Sequence, residues 1–421
     1  MLNKSRAAAA RVDAFVPDTV AGSGGAAPAL ADFPLRAAAP ARAASRLLIA
    51  FCCLAVLAGV AAEAARWTSA PADSAGAAMF EAAAPRKVTL TSVSTTLIPM
   101  PPGVPSAHAS AMAPLPGNQM LAFWWAGSRE SGPDVKVYAA RWAGGAWGQA
   151  REVASRASLA AALGFGVRRI GNPVVWTARD GSIHLYVVAT GFGGWAASRV
   201  VQMVSSDGGQ HFQVKRLLPL SPLFNTSVLV RTTPMALADG GWWLPAYFEI
   251  GLKYPMMMTF GSDGAPRRLA RIGSRVTTLQ PTLAPVSAFE AHAWMRDASD
   301  EQRVQQAVSR DGGASWQDLP PLDLPNYSSS LAARRLDQGG FLLLHNHVSE
   351  GASDRSVLRL SLSKDAHSWE RILDVASGEA GEEFSYPTMQ QVGNELHVSY
   401  TSRRTAIAHH VYRIDYGDTL L

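Results

Sequence analysis

The side chains of this 421-residue chain that could bind or transform a ligand are arginines, a tyrosine, a few carboxylates and one histidine, each set in a short phrase of its own. The phrases are Ala107-His108-Ala109-Ser110, Ser128-Arg129-Glu130-Ser131-Gly132-Pro133-Asp134, Arg231-Thr232-Thr233-Pro234, Trp294-Met295-Arg296, Asp354-Arg355-Ser356 and Glu383-Phe384-Ser385-Tyr386-Pro387. A planar guanidinium binds a carboxylate through two parallel hydrogen bonds, and an imidazole can serve as a general base. Each residue also has a plainer reading. A lone arginine in a β protein makes ion pairs, a tyrosine before proline packs at a strand end, and His108 can be a hydrogen-bonded core histidine. No group of His and Cys stands at metal-ligand spacing. Cys52 and Cys53 are adjacent within an apolar run, and neighbouring cysteines rarely pair. The chain is expected to need neither metal nor cofactor.

A repeat supplies the scaffold for these phrases. Ser309-Arg310-Asp311-Gly312-Gly313-Ala314-Ser315-Trp316 is matched upstream by Ser205-Ser206-Asp207-Gly208-Gly209-Gln210-His211-Phe212. Ser363-Lys364-Asp365-Ala366-His367-Ser368-Trp369 keeps the Ser, Asp and Trp, and Ala140-Arg141-Trp142-Ala143-Gly144-Gly145-Ala146-Trp147 is a worn copy. Asp accepts backbone N–H bonds from its own turn, Gly supplies positive φ, and the aromatic closes the turn onto a hydrophobic seam, so these are hairpin corners. Their interval of roughly 50 to 65 residues points to propeller blades, and one unmarked unit fits around Met256 to Asp263.

Between the marks run short apolar stretches: Met120 to Trp125, His184 to Val188, Trp242 to Tyr247, Ser287 to Trp294, Phe341 to His345 and Leu396 to Tyr400. Turn pairs such as Gly117-Asn118, Asp180-Gly181, Asp239-Gly240 and Gly393-Asn394 precede most of them. They read as the inner strands of about six units. The expected fold is all-β: a six-bladed β-propeller over 87–421, its last blade completed by Lys87 to Ile98 so that the ring closes, preceded by one N-terminal hydrophobic helix.

A composition of 48% hydrophobic and 17% charged residues suits one large all-β domain. The net charge of +5 owes much to Lys4, Arg6, Arg11, Arg36, Arg42 and Arg46, which face only Asp13, Asp18 and Asp32. The remainder is nearly balanced, so no nucleic-acid footprint is expected. Residues 1–45, rich in Ala, Pro and Gly, are expected to be disordered. The segment 46–65 holds the apolar run Leu47 to Ala62, which fits a transmembrane signal anchor or a signal-peptide core, and 66–86 reads as a linker. Arg42 and Arg46 keep the leading side in the cytoplasm and send the propeller outward.

The Ser-X-Asp-X-Gly-X-X-Trp marks, together with Ile170-Gly171-Asn172-Pro173, Arg231-Thr232-Thr233-Pro234, Leu279-Gln280-Pro281-Thr282 and Glu383-Phe384-Ser385-Tyr386-Pro387, resemble bacterial sialidase (neuraminidase)-like proteins with BNR, or Asp-box, repeats. The resemblance covers about residues 88 to 415. It implies a pocket on the propeller axis in which arginines hold a substrate carboxylate, a tyrosine is the nucleophile with a glutamate beside it, and an aspartate is the acid/base, an exception to the two-carboxylate rule. Carried over by phrase, Tyr386 resembles the nucleophile, Asp134 the acid/base with Glu130 as rival, and Arg296 and Arg355 the second and third arginines. His108 stands where the first arginine would be, and Gln280 stands where the glutamate would be. Glu383 and Glu249 are candidates to replace that base, and Arg231 and Arg129 join the substrate-binding set. The expected function is a sialidase-like exo-glycosidase acting on terminal sialic acid or another acidic sugar of extracytoplasmic glycans. Its alternatives are a non-catalytic glycan- or protein-binding propeller and a uronic-acid hydrolase or lyase with His108 as base. The resemblance to bacterial proteins places the chain on the inner membrane facing the periplasm, or free in the periplasm or secreted if cut after Ala64. A monomer is expected, with an acidic glycan as its partner.

Overall fold

The computed structural model describes residues 39–68, 76–81, 83–222, 225–348 and 354–420. Most of the stretch expected to be disordered lies outside the described residues. Its last part does not, because a helix of 30 residues runs over Ala39–Thr68. Within that helix Ala44–Ala62 averages a hydropathy of 2.2 with none of it buried. That is long and apolar enough to cross a membrane, and equally suits the core of a signal sequence.

Six antiparallel sheets make the propeller. The strands nearest the axis are Ser106–Leu115 in blade 1, Arg169–Thr177 in blade 2, Val228–Val230 with Met235–Ala236 in blade 3, Thr278–Pro285 in blade 4, Ala332–Arg335 in blade 5 and Phe384–Val392 in blade 6. Blade 6 continues outward through Glu395–Ser402 and Ala406–Leu420, and Arg86–Ile98 pairs antiparallel with the latter as its outermost strand. The two ends of the propeller sequence thus share one blade, which closes the ring.

The apolar stretches expected to be innermost are second from the axis. Turns such as Gly117-Asn118 join each axial strand to this second one, as Ser106–Leu115 pairs with Gln119–Gly127. A second strand has neighbouring strands on both sides and neighbouring blades on both faces, so nearly every residue of Gln119–Gly127 and Ile183–Thr190 is buried. Such a strand reads as an unbroken apolar run. The axial strands read less clearly because four of them carry a register break, between His108 and Ala111, Ile170 and Pro173, Leu279 and Thr282, and Ser385 and Thr388. Blade 3 has the corresponding interruption, between its two short axial strands. A bulge re-aims side chains, and these bulges are the short phrases picked out from the sequence.

The repeat marks join the third and fourth strands of their blades and are closed as expected. Ser309 Oγ donates to Asp311, Gly313 N donates to Ser309 Oγ at 2.8 Å, and Ser315 N donates to Asp311 Oδ1 at 2.8 Å. Ser205 and Asp207 repeat the pattern, as do Ser363 and Asp365. The unmarked unit is blade 3, whose Tyr254–Phe260 strand turns at Asp263.

The expected linker is in part bound to the propeller. Ala77 N donates to Gly312 O, Met79 N to Ala288 O, and Ala238 N to Ala78 O. Met79 is buried among Trp243, Met257, Ala291 and Ala293. One apolar side chain in a run of small residues, together with free backbone groups at the hairpin corners, accounts for this docking.

Blades 6 and 1 meet across a chain of neutral rings. Trp147 Nε1 donates to His409 Nδ1 at 3.2 Å, and His409 Nε2 and His397 Nδ1 are 3.1 Å apart. The tryptophan can only donate, so His409 is protonated on Nε2 and hands that proton's bond to His397, whose Nε2 faces Glu395 at 3.5 Å. A second proton on either ring would break a bond. Burial, the leading cause, holds His397 below its ordinary range and His409 down to about 3. Because both folded pKa values are depressed, the rings contribute stability that is fully present above the unfolded value of about 6.5 and is lost as pH falls below it. Thermal melts between about pH 7 and pH 4 should show this loss. The variant His409→Gln, which cannot titrate, should lose less over the same range, and an unchanged slope would refute the assignment.

Candidate functional site

The bulges bring His108, Arg231, Gln280 and Tyr386 to one end of the axis. Gln280 and Tyr386 sit at φ of 50° and 54°, as does Ala109, next to His108, at 58°. Non-glycine residues adopt this region at a cost and cluster in it at working sites. Arg231 is 2% exposed. Its Nη1 donates to Ser110 O of blade 1 at 3.3 Å and its Nη2 to Pro387 O of blade 6 at 3.0 Å. It therefore ties three blades together across the axis. Burial pushes its pKa down to about 10, which leaves it a cation at neutral pH.

Tyr386 is held between rings and cations. The His108 ring centroid lies 4.1 Å away, and the guanidinium carbons of Arg231 and Arg355 lie 4.9 Å and 5.9 Å from the phenol centroid. His108 is 1% exposed, packs edge-on against Trp125, and has no hydrogen-bond partner for either ring nitrogen among the described residues. Burial first, then the charge of Arg404, holds it well below its ordinary range. It is a neutral imidazole.

Glu383 gathers the cations. Its carboxylate accepts from Arg355 Nη1 at 2.9 Å, Ser385 Oγ at 2.5 Å and Arg404 Nε at 2.6 Å. Burial alone would raise its pKa, but the bonds from Arg404 and Ser385 and the charge of Arg355 outweigh that and draw it down to about 2. Glu383 is therefore a fixed anion and a poor base. Arg404 also binds Glu130, which occupies the acid/base rival.

Arg355 Nη2 donates to Ser328 O at 3.1 Å, while Arg296 Nε and Nη2 donate to Ser328 Oγ at 3.0 Å and 2.9 Å. Ser328, at φ 49°, thus sets the two expected carboxylate-binding arginines side by side. Arg296 opens onto a cavity of about 430 Å³ shared with Glu249, Lys253 and Tyr327. Glu249 is the carboxyl there that titrates upward, because burial outweighs the charges of Arg296 and Lys253. Two residues before it, Tyr247 is fully buried, and its hydroxyl accepts from Gln280 Nε2 at 3.3 Å.

Two expected residues take no part in these contacts among the described residues. Both oxygens of Asp134 are taken by Ser128, Oδ2 by its N–H at 2.8 Å and Oδ1 by its hydroxyl at 2.7 Å. The Ser128 hydroxyl bond is the main cause of its lowered pKa, so Asp134 closes its own loop. Arg129 lines a different cavity on the outer side of that loop. Arg404 and Ser328 belong to the centre without having been in the expected set. Arg404 follows a strand end in a double-arginine phrase, a faint signal, whereas Ser328 gives none.

The model of the BNR repeat-like domain matches residues 118–398. A comparison with curated proteins finds none that matches. Among solved structures, a Dyadobacter fermentans protein of unknown function is 13% identical, with a TM-score of 0.63 over 77% of this chain and 99% of that one. A Hadza microbial sialidase is 14% identical, with a TM-score of 0.59 over 75% of this chain and 66% of its own. Trypanosoma rangeli sialidase is 14% identical, with a TM-score of 0.56 over 77% of this chain. The chain spans 59% of that sialidase, and at such identities the likeness is one of fold.

The variant Arg231→Met keeps the bulk and removes both bonds across the axis. With two buried carbonyls orphaned, it should lower the unfolding free energy by about 2–4 kcal/mol. Thermal or urea unfolding followed by tryptophan fluorescence measures this, and a wild-type stability would show that Arg231 is not the axial tie.

Proposed function

Because the chain belongs to the BNR repeat-like domain family and carries the sialidase-like six-bladed propeller, we propose that it is a glycoside hydrolase that releases a terminal acidic sugar, sialic acid or a uronic acid, from glycans outside the cytoplasm. The observation that carries this reading is Tyr386, fixed on the axis by its backbone and flanked by the Arg231 and Arg355 cations. A phenol so placed can attack or stabilise an anomeric centre on which positive charge develops. Arg296 and Arg355, aligned on Ser328, hold the sugar carboxylate.

Proton transfer falls to Glu249 and not to Asp134. A carboxyl whose pKa is raised keeps its proton at higher pH than an ordinary glutamate and can give it to a leaving oxygen, whereas Asp134 and Glu383 are held as anions. Glu383 instead balances Arg355 and Arg404. The site has one acid sugar's worth of recognition and no place for the first arginine, since His108 fills it.

One observation favours a second reading. A neutral His108 with both nitrogens unpartnered can act as the base of a uronic-acid lyase, which leaves an unsaturated, ultraviolet-absorbing product.

The test is release of fluorophore from an α-sialoside and from a β-glucuronide by the full chain in detergent. Tyr386→Phe should abolish release with little change in binding. Glu249→Gln should lower turnover by roughly 10²- to 10⁴-fold and remove the fall in rate that sets in as pH rises through the raised Glu249 pKa. Folded protein that releases neither fluorophore would overturn the hydrolase, and appearance of the unsaturated product would install the lyase.

A further inference from the structure

The loop from Ser128 to Asp134 has two sides. Glu130 turns to Arg404 at the axis, whereas Arg129 faces a separate cavity of about 370 Å³ that it shares with Arg156, Arg168, Arg169 and Phe192. Four guanidiniums line this cavity without a carboxylate among them. Among the described residues none of the four forms an ion pair; Arg156 Nη1 donates to Arg168 O at 3.1 Å. Asp134 feels the charge of Arg129 but has both oxygens on Ser128. Like charges held together at a surface raise a positive potential that an anion relieves.

The cavity has a fixed wall. Phe192 is 89% exposed with the Arg168 guanidinium 5.5 Å from its ring centre, and it is carried by Gly193 and Gly194 at φ of 107° and 65°. Only glycine enters the first of these conformations without strain. The residue that follows, Trp195, donates from Nε1 to Ser131 Oγ at 3.2 Å. Its ring packs so closely on Gly171 that a Cβ there would lie 2.8 Å from it. An exposed aromatic ring on a pinned loop beside four free cations is a surface for a flat, anionic ligand. A sugar ring offers an apolar face to Phe192, and its carboxylate offers two acceptors to a guanidinium.

We propose that this cavity is a second binding site, specific for the carboxylates of an acidic polysaccharide. The chain then acts on a polyanionic glycan whose acid groups repeat, gripping it at blades 1 and 2 while the terminal sugar reaches Tyr386. The polymer's identity as a glycan rests on the hydrolase reading above; the anion site itself does not.

Calorimetric titration of the full chain in detergent with galacturonate and with oligogalacturonates of increasing length tests it. Affinity should rise with length, fall with added salt, and lose about tenfold or more of the longer oligomers' binding in Arg168→Ala/Arg169→Ala/Phe192→Ala. Arg168→Lys/Arg169→Lys, which keeps the charge but not the paired donors, should bind more weakly than wild type and more tightly than the alanine variant, and an unchanged melting temperature of the alanine variant excludes misfolding as the cause of its loss. Affinity independent of length, or unchanged in the alanine variant, would overturn the proposal. Tighter binding of a single-stranded oligonucleotide, lost in the same variant, would assign the site to nucleic acid instead. Length-dependent oligogalacturonate binding by the folded wild-type chain, when that chain releases neither fluorophore, would sustain the site and refute only the hydrolase.

Discussion

The site depends on a cation in the middle of the ring. Arg231 leaves blade 3, crosses the axis, and ends on backbone carbonyls of blades 1 and 6. A guanidinium suits this position because it has donors in several directions and keeps its charge when buried. Among the described residues it has no acid partner there, and it lies over the phenol face of Tyr386. Removing a cation from water is costly, and the two carbonyls and the aromatic face offset that cost. The same bonds fix the bulges that aim His108 and Tyr386.

Around this centre the charges are arranged in a chain of shared partners. Glu130 binds Arg404, Arg404 and Arg355 bind Glu383, and Arg355 and Arg296 meet at Ser328. Arg355 is thus engaged by Glu383, whereas Arg296 is bonded to the Ser328 hydroxyl and shares its cavity with Glu249. The arrangement separates two roles that carboxyl groups can play. Glu383 is held ionised by three donors, while Glu249, half-buried near Arg296 and Lys253, is pushed the other way. Environments that drive two carboxyls apart are how one pocket supplies both an anion and a proton.

The sequence revealed what is local and periodic. The Ser-Asp-Gly corners are self-contained turns, so their spacing disclosed the blades, and even the unmarked third blade fell where the interval required. The bulged phrases were visible as phrases, although their place on the axial strands was not. An interrupted strand gives a weaker apolar signal than the doubly covered strand beside it, which is why Met120 to Trp125 was expected one position too near the axis. The sequence singled out Tyr386, Arg296 and Arg355 by type, and the structure sets Arg355 beside both the Tyr386 ring and, through Ser328, Arg296. Site chemistry was not legible where partners decide the role. Nothing near Asp134 in sequence shows that Ser128 takes both its oxygens, and nothing near Glu249 shows that Arg296, from another blade, shares its cavity.

The outermost strand of blade 6 is the first part of the ring to be made and the last to find its place. Arg86–Ile98 pairs with Ala406–Leu420, so five blades and most of the sixth must be synthesised while it waits. Ring closure of this kind is slow because the contact spans nearly the whole domain, and an unpaired strand is an invitation to aggregate. The composition of this strand answers that hazard. Thr89, Thr91, Ser92, Ser94, Thr95 and Thr96, led by Arg86 and Lys87, are interleaved with its aliphatic residues Val88, Leu90, Val93, Leu97 and Ile98, so that the strand has β propensity without a continuous apolar run. It can persist as a soluble half of a clasp until the final residues of the chain arrive to fasten it.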